Sequence, residues 1–349
     1  MTTLALVTGY TRKILAISAM LLMGFLIIFG GVKLFFTIKE ALYPTPPPPP
    51  TVSFGKLPLI AFPKNTPQGT YTYSLSTISG GLPAFPDRAT IYQSLGPQPN
   101  LLGLTNARTM VANVGYSGDP TQVSDTDYSW TNQDSLPKKI TINTQIQNFS
   151  VTSAYTSDQT VLAAAQLPDG SHATDAVSTY LQNLGLTPTD IDSSKTKVSL
   201  FAISNGQISP ATSLSTAQIV RVDLFQSQIN NLPVVYPQPT YSTMNFLLAS
   251  SQNTDPQIVE AHFFHQSITS TSATYPIKTA KQAYEDLQNG KAYIASPSTT
   301  GNQVIIKNIF LAYYMSDSIQ PYLQPVFVFS GDNNFVAYLP AITDVWVNN

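Results

Sequence analysis

Apolar residues are most concentrated near the N-terminus, where residues 14–38 form the longest hydrophobic stretch of the chain. Residues 14–32 include no charged residue and no proline, and a helix of this length extends about 28 Å at about 1.5 Å per residue. That length approaches the roughly 30 Å thickness of a bilayer's hydrocarbon core. The aliphatic stem of Lys33 allows its ammonium group to reach the lipid headgroups. The pattern therefore predicts a transmembrane signal-anchor helix over residues 14–38.

The alternatives for this segment are a cleavable signal peptide, a pilin-type leader and a buried core helix, the last of which would be unusual at this length in so polar a domain. A signal peptide would have a shorter apolar region and a cleavage site of small residues, whereas a proline tract follows here. A pilin-type leader would place an acidic residue just after a glycine, but Gly9 is followed by Tyr10, Thr11, Arg12 and Lys13. The sequence therefore favours an uncleaved anchor, with residues 1–13 as a short cytoplasmic stub.

A proline tract follows the predicted anchor, with Pro44 and then five consecutive prolines at residues 46–50. Proline has no backbone N–H to donate and favours the extended polyproline II conformation. We therefore predict a proline-rich, semi-rigid stalk over residues 39–51 that separates the following domain from the membrane. The alternative is a ligand for a proline-binding groove, but the cytosolic modules of that kind would lie on the other side of the membrane.

Short β-favouring stretches alternate with prolines and glycines from residue 52 to residue 137. Residues 69–75 and 108–114 are two such stretches, which we interpret as strands in a β-rich lobe with little helix. Three carboxylates, Asp119, Asp125 and Asp127, cluster in this lobe. A calcium loop needs alternating oxygen ligands, a central glycine and a closing glutamate, and this register is missing. The cluster therefore indicates a solvated turn.

Helical and strand periods mix in residues 138–274, which we predict to be an α+β lobe. Ile140, Ile142 and Ile146 have the even spacing of one strand face. Residues 161–167 are apolar and rich in alanine, and residues 175–184 repeat apolar side chains with a helical period before Gly185, so both are predicted helices. The predicted strands of this lobe are residues 197–204, 218–225, 232–237 and 244–250.

The last segment, residues 275–349, contains the clearest helix signals of the chain. Thr279 followed by Gln282 is a capping box, and the Asn289-Gly290 pair is typical of a helix end. Three stretches rich in β-branched and aromatic residues follow at residues 304–314, 325–329 and 335–339. We predict a helix packed on a three-stranded meander. The whole chain is thus predicted to be α+β, with a mainly antiparallel, β-rich ectodomain and a few helices packed on the sheet.

Parts of this segment resemble the C-terminal module of the YycH and YycI regulators. The resemblance lies in the strings YPIKTAKQAYEDLQNGK at residues 275–291, LAYY at residues 311–314 and QPVFVF at residues 324–329. Members of that family are single-pass, extracytoplasmic proteins that restrain a sensor histidine kinase of cell-wall homeostasis. The resemblance implies the same anchoring and a regulatory role, and it implies no catalytic residues.

Composition changes the picture in three ways. Charged residues are 10% of the chain, against about 25% in soluble globular proteins, and cysteine is absent. Without cysteine the chain has neither disulfides nor thiolate metal sites. The formal net charge of −2 provides no basic field for nucleic acid. Arg12 and Lys13 lie on the N-terminal side of the apolar stretch, and Lys33, Lys39 and Glu40 lie at its C-terminal end. The small excess of positive charge on the N-terminal side weakly favours a cytoplasmic N-terminus and an extracytoplasmic C-terminal domain.

Three short motifs resemble catalytic or metal sites. Glu260, His262 and His265 would suit zinc on a helix, but their apolar neighbours favour a strand, on which residues three apart face opposite ways. Residues 194–197 match the serine-x-x-lysine form of penicillin-recognising enzymes but lack its partner motifs. Residues 331–334 are better explained as a hairpin turn. We therefore predict no catalytic, cofactor-binding or metal-binding residues and no cofactor.

These observations predict a non-enzymatic, single-pass protein of the cell membrane that binds a partner at the cell envelope. That partner is either a membrane or cell-envelope protein, with regulation of a sensor kinase as one such role, or a wall polymer. The predicted partners are the lipid bilayer and that protein, and nucleic acid is excluded by charge. Two alternatives remain open. One is a cell-envelope hydrolase that uses a pair of carboxylates, and the other is a structural subunit of a surface assembly.

Overall fold

The computed structural model describes residues 3–42, 48–64, 70–78, 80–163, 167–250 and 256–348. The chain divides into two compact units, Met1–Pro49 and Pro50–Asn349. In the first unit, helix α1 (Thr3–Leu42) is continuous and contains the predicted anchor. Its segment Leu15–Lys39 is long and apolar enough to cross a membrane. The apolar side chains of this segment, among them Phe25 and Phe29, are exposed all around the helix.

The described parts of the predicted stalk, residues 39–51, differ in secondary structure. Residues 39–42 continue α1, and residues 48–50 have no regular secondary structure. Residues 43–47, with three of the six prolines, lie outside the described residues. The semi-rigid stalk therefore stays a prediction.

Within the described residues, the second unit contains four α-helices and seventeen strands. The helices are α2 (Gly103–Ala112), α3 (Gln159–Leu162), α4 (Gly170–Asn183) and α5 (Ala280–Gln288). The strands are β1 (Thr72–Leu75), β2 (Arg88–Ser94), β3 (Thr121–Gln122), β4 (Asp127–Thr131), β5 (Lys138–Asn143), β6 (Phe149–Ser153), β7 (Lys197–Ser204), β8 (Gln207–Pro210), β9 (Ile219–Leu224), β10 (Val234–Val235), β11 (Met244–Ser250), β12 (Pro256–Phe263), β13 (Ile268–Pro276), β14 (Tyr293–Ser296), β15 (Gln303–Tyr314), β16 (Tyr322–Gly331) and β17 (Val336–Pro340).

These strands form two sheets. The nine-stranded sheet has the order β3-β4-β5-β6-β12-β11-β9-β7-β8, and its neighbouring strands are antiparallel. The eight-stranded sheet has the path β1-β15-β16-β17-β14, with β10 beside β15 and with β2 joining β13 to β16. In that sheet β1 and β10 run parallel to β15. The predicted α+β class with a mainly antiparallel sheet is confirmed.

Each sheet buries one face under helices. Helices α2 and α4 cover the nine-stranded sheet, where Val177 and Leu181 pack with Val222, Phe246 and other apolar side chains. Helix α5 covers the eight-stranded sheet through Ala283 and Leu287. The other face of the nine-stranded sheet is apolar at one side only, around Val259 and Leu247. Its remaining surface carries polar side chains, among them Asn245, His262 and Ser150.

The strand predicted over residues 108–114 is wrong, because residues 103–112 form helix α2. The β-branched and methionine side chains there resembled a strand locally, but Ala107 and Val111 are four residues apart and both pack into the core on one helix face. Gly103 permits this packing, since a Cβ at that position would lie 2.9 Å from the carbonyl oxygen of Thr144. Long-range packing has overridden local preference.

The strand predicted to include Ile140, Ile142 and Ile146 is correct only in part. Strand β5 carries the first two, and it ends at Asn143. The Asn143 side-chain oxygen accepts hydrogen bonds from the backbone N–H groups of Gln145 (3.0 Å) and Ile146 (3.2 Å). This asparagine turn closes the strand before Ile146 can join it.

The helix predicted over residues 161–167 is also displaced. Helix α3 begins earlier, at Gln159, because the Asp158 carboxylate accepts from the N–H groups of Thr160 and Val161. It ends at Leu162, and residues 164–166 lie outside the described residues. The helix predicted over residues 175–184 is confirmed as part of α4, and Gly185 follows it with a φ of +73°.

Hydrogen-bonded strands connect the predicted segments 52–137, 138–274 and 275–349. Strand β4 pairs with β5 across residues 137 and 138, and β13 runs through residues 274 and 275. Strands from residues 52–137 contribute to both sheets. The division of these residues into independent lobes stays a prediction.

The capping box at the start of α5 is confirmed and allows a stability prediction. The Thr279 hydroxyl accepts from Gln282 N at 3.2 Å, and the Gln282 side chain accepts from Thr279 N at 2.9 Å. We expect Thr279→Ala to lower the free energy of unfolding by about 1 kcal/mol, because the Gln282 N–H in the first turn loses its hydrogen-bond acceptor. Thr279→Ser keeps a capping hydroxyl and should change it little. Chemical denaturation followed by tryptophan fluorescence measures both, and equal losses would contradict the assignment.

Candidate functional site

A row of polar side chains crosses the second face of the nine-stranded sheet. Its members are directly opposed across neighbouring strands, so they share one face of the sheet. Residues next to them along each strand, such as Val222 and Phe246, belong to the helix-covered core. In the order β9, β11, β12, β6 and β5, this polar row consists of Asp223, Asn245, His262, Ser150 and Thr141.

The polar row forms the floor of a groove. One wall of the groove is the connection between β15 and β16 of the eight-stranded sheet, which contributes Asp317, Ser318 and Ile319. The groove has two cavities, of 240 Å³ and 380 Å³, and His262 lines both. We call this feature the polar groove. The smaller cavity is also lined by Arg221, Gln238, Tyr241 and Asn245, and the larger one by Thr141, Asn143, Asn148 and Ser150.

A buried ion pair anchors the end of the polar row. Arg221 Nε and Nη2 donate to the two carboxylate oxygens of Asp223 at 2.8 and 2.9 Å. The Asp223 side chain is fully buried and also accepts from Ser242 N at 3.0 Å. The Arg221 guanidinium lies 4.1 Å from the ring centroid of Tyr241, in a cation–π contact. The two charges compensate each other and hold Tyr241 at the wall of the smaller cavity.

Several polar groups of the groove have no hydrogen-bond partner among the described residues. These are the His262 imidazole, the Asp317 carboxylate and the hydroxyls of Thr141 and Ser150. The Asn245 amide donates through Nδ2 to Ser242 O at 2.9 Å, which fixes its orientation and leaves Oδ1 as an acceptor. Protein polar groups at a groove that are not paired internally are available to a ligand.

The pKa of His262 is lowered, which favours its neutral form. Removal of water by the surrounding protein is the main cause that lowers its pKa below the usual value, and the nearby Arg221 lowers it further. Asp317 and Glu260 act in the opposite direction but do not reverse the shift. The neutral imidazole offers one donor and one acceptor nitrogen. The centre of the groove is therefore a neutral hydrogen-bonding group.

A third cavity, of 410 Å³, lies outside the polar groove at the end of β12 and is lined by His265, Gln266 and Phe264. There, His265 Nε2 is 2.8 Å from Asp190 Oδ1, and Gln226 Nε2 donates to Asp190 Oδ2 at 2.8 Å. Gln226 N donates in turn to the hydroxyl of Tyr236 at 3.0 Å. In the described part of the chain, no serine or threonine hydroxyl is hydrogen-bonded to His265. These groups satisfy one another and connect the loop after α4 to the end of β12.

The pKa of Asp190 gives this connection a pH dependence. Burial alone would raise the pKa, but the hydrogen bond and charge of His265, with the Gln226 amide, lower it overall. A lowered carboxyl pKa stabilises the fold above the unfolded value of about 3.9, and this stabilisation is lost as the pH falls through the folded value. We expect the wild type to lose stability below about pH 4 more steeply than Asp190→Asn, as measured by thermal unfolding across pH. Parallel profiles of the two proteins would contradict the assigned role of Asp190.

The residues predicted from the sequence occupy separate places. The strand prediction for Glu260 and His262 is confirmed, since both lie on β12, and His265 follows that strand and lines a different cavity from His262. Among the described residues, no group of three or more His, Cys, Asp or Glu side chains is arranged to hold a metal ion.

The other motifs form turns. Ser194 donates to Asp192 at 2.6 Å in a short 3₁₀ turn before Lys197 begins β7. The predicted turn at residues 331–334 is confirmed, with positive φ angles at Asn333 and Asn334 between β16 and β17. Asp119 pairs with exposed Arg108, and Asp127 accepts from the Asn143 amide.

Sequence reasoning missed most of the polar row. Arg221 and Asp223 alternate with valines in β9, and Asn245 lies between Met244 and Phe246 in β11. Polar residues that alternate with large apolar residues indicate a strand with one exposed face. That signal was present, but it identifies single strands and not the row that their pairing creates.

No protein-family model matches the chain, and no curated protein sequence matches it. Solved structures are similar to it, among them the following two. An uncharacterized protein from Eubacterium rectale ATCC 33656 shares 11% identity at a TM-score of 0.34, over 78% of this chain and 89% of that one. The YpeB C-terminal domain of Bacillus megaterium shares 11% identity at a TM-score of 0.31, over 71% of this chain and 94% of that domain. At these scores neither supports an inference here, and the resemblance to YycH and YycI stays a prediction.

Proposed function

We propose that this chain is a non-enzymatic, single-pass membrane protein that holds its β-rich unit outside the cytoplasm and binds a partner of the cell envelope through the polar groove. The observation that carries the proposal is the set of unpartnered polar groups around His262 in a protein with an apolar helix long enough to span a membrane. Regulation of a sensor kinase in the same membrane, as in the YycH and YycI regulators, is one form that such binding takes.

The proposed orientation rests on charge and composition. Arg12 and Lys13 precede the Leu15–Lys39 segment, and basic residues next to a span favour the cytoplasmic side. The β-rich unit carries no cysteine and few charges, and its groove is lined by hydroxyl, amide and imidazole groups. These features support a domain without disulfide bonds that works outside the cytoplasm.

Binding is favoured over catalysis by how the groove groups are paired. A hydrolytic nucleophile needs a base within hydrogen-bonding reach, and the base needs an orienting group. The pair with that geometry, His265 and Asp190, is bound to Gln226 and lies outside the polar groove. The groups that remain open in the groove are suited to hydrogen bonding with a ligand.

A carboxylate-dependent envelope hydrolase is the second candidate, because Asp317 and Glu260 both act electrostatically on His262 at the centre of the groove. The two candidates differ in turnover. We expect the full-length protein in lipid nanodiscs to release no soluble fragments from purified peptidoglycan. Release that Glu260→Ala or His262→Ala abolishes would overturn the proposal and favour the hydrolase.

The binding surface is tested in cells by a photo-cross-linking amino acid in place of Ser318, which is exposed in the groove. The matched control is the same amino acid in place of Thr179, which is exposed on α4. We expect cross-linked envelope material with position 318 and not with position 179. Equal products from both positions would contradict binding through the groove.

A further inference from the structure

We propose that the ligand of the polar groove is an uncharged oligosaccharide that lies along the polar row, across the strands of the nine-stranded sheet. This inference rests on the proposed function and names its ligand class. Asp223 is buried under Arg221, and the four residues of the row that line the cavities run from Asn245 to Thr141. Neighbouring strands are about 4.8 Å apart, so these four residues span about 14 Å. The groove therefore presents polar side chains at a regular repeat over the length of a short oligosaccharide.

The chemistry of the open groups fits hydroxyl-rich ligands. A sugar hydroxyl both donates and accepts, and the groove offers both functions. Neutral His262 supplies a donor and an acceptor, Thr141 and Ser150 supply hydroxyls, and Asn245 Oδ1 supplies an oriented acceptor. The exposed side chain of Ile319 in the larger cavity is an apolar wall for the C–H face of a sugar ring.

The charge of the groove disfavours an anionic polymer. Arg221 is neutralised by its two hydrogen bonds to buried Asp223. Lys197, opposite Asp223 on β7, donates to Thr240 O at 3.1 Å and lines neither cavity. The neutral form of His262 is favoured because desolvation lowers its pKa. Asp317 has no hydrogen-bonded or ion-paired cation among the described residues, so the groove has a carboxylate where an anionic ligand would need a cation. A phosphate-rich or uronic-acid polymer would meet repulsion there.

The position of the groove in the sheet disfavours an extended peptide. Peptides that bind sheets usually add a strand at an edge, where backbone N–H and C=O groups are open. The polar row lies on β9, β11, β12, β6 and β5, all of which have a hydrogen-bonded strand on both sides. Recognition in the groove must come from side chains on a sheet face. The cavities of 240 and 380 Å³ are together within the range of about 300–1,000 Å³ of sites for small ligands.

Calorimetric titration of the full-length protein in lipid nanodiscs, free of sugar-headed detergent, tests the ligand class. The probes are two neutral tetrasaccharides, tetra-N-acetylchitotetraose and cellotetraose, and one anionic tetrasaccharide, tetragalacturonate. We expect at least one neutral probe to bind with a Kd below about 1 mM, and the anionic probe to bind at least tenfold more weakly. Binding of neither neutral probe, or equal binding of the anionic one, would overturn the inference.

Variants locate the binding. His262→Ala alters the residue that lines both cavities, and Thr141→Val alters the larger cavity. Each variant is expected to weaken the binding of the neutral probe at least fivefold. His172→Ala is the matched control, since His172 is an exposed histidine on α4 with a side chain 74% exposed, and it should leave affinity unchanged. Equal weakening by His172→Ala would overturn the assignment to the groove. Unchanged thermal unfolding of each variant excludes loss of folding as the cause.

The outcomes separate this inference from the proposed function. If the position 318 cross-linker captures an envelope protein while no neutral probe binds, the proposed function stands and the oligosaccharide is excluded. If a neutral probe binds through His262 and is also cleaved, the ligand class stands and the non-enzymatic role fails.

Discussion

Replacing Arg221 by methionine is expected to lower the free energy of unfolding of the β-rich unit by about 3–5 kcal/mol. The substitution leaves the Asp223 carboxylate without its cation at a position where the side chain is 0% exposed. Its one other described hydrogen bond, from Ser242 N, cannot compensate a buried charge. Methionine keeps much of the aliphatic volume beside Tyr241, so the loss reports the charge and not a cavity. Chemical denaturation followed by tryptophan fluorescence measures the difference.

Two further proteins make this measurement specific. Arg108→Met removes a cation from an exposed pair with Asp119 and should cost about 1 kcal/mol or less. The double variant Arg221→Met/Asp223→Leu removes both buried charges and should be more stable than Arg221→Met alone. Equal losses from Arg221→Met and Arg108→Met would show that the buried pair does not hold the floor of the groove.

The second large effect concerns the apolar helix. Phe25 and Phe29 are one helical turn apart, with ring centroids 6.0 Å from each other, near the middle of the Leu15–Lys39 segment. An arginine at a bilayer centre costs about 2.5–3.5 kcal/mol on insertion scales, so Phe25→Arg/Phe29→Arg should cost about 5–7 kcal/mol. We expect this variant to appear in the soluble fraction after alkaline carbonate extraction, while the wild type stays in the membrane pellet.

The control for this experiment is Phe25→Leu/Phe29→Leu, which removes the aromatic contact but keeps the helix apolar. It should stay in the membrane pellet with the wild type. A double-arginine variant that is retained in the pellet as well as the wild type would mean that this helix is not what attaches the chain to the membrane.

Elements with local chemical signals were predictable from the sequence. The capping box at Thr279, the glycine after α4 and the turn at Asn333 and Asn334 are each determined by residues within a few positions of one another. Strands β7 and β11 were predicted with their observed bounds, because their apolar and β-branched residues form short bounded runs.

The polar groove was not predictable in the same way. His262 lies opposite Ser150, more than one hundred residues earlier in the chain, and Asn245 lies between Asp223 and His262. Strand register of this kind follows from which faces pack under α2 and α4, and no local pattern encodes it. The prediction of a strand in place of helix α2 was wrong for a related reason, since the core-facing side of this helix can be recognised only once the sheet under it is known.

The orientation of the chain in its membrane is the claim on which binding at the cell envelope depends. Because the sequence contains no cysteine, a single introduced cysteine can be labelled selectively. Spheroplasts that express full-length Thr300→Cys or Thr3→Cys are treated with a membrane-impermeant maleimide, before and after permeabilisation. The account predicts that Thr300→Cys, exposed in the β-rich unit, is labelled on intact spheroplasts and that Thr3→Cys is labelled only after permeabilisation. The reverse pattern would place the polar groove in the cytoplasm and contradict the account.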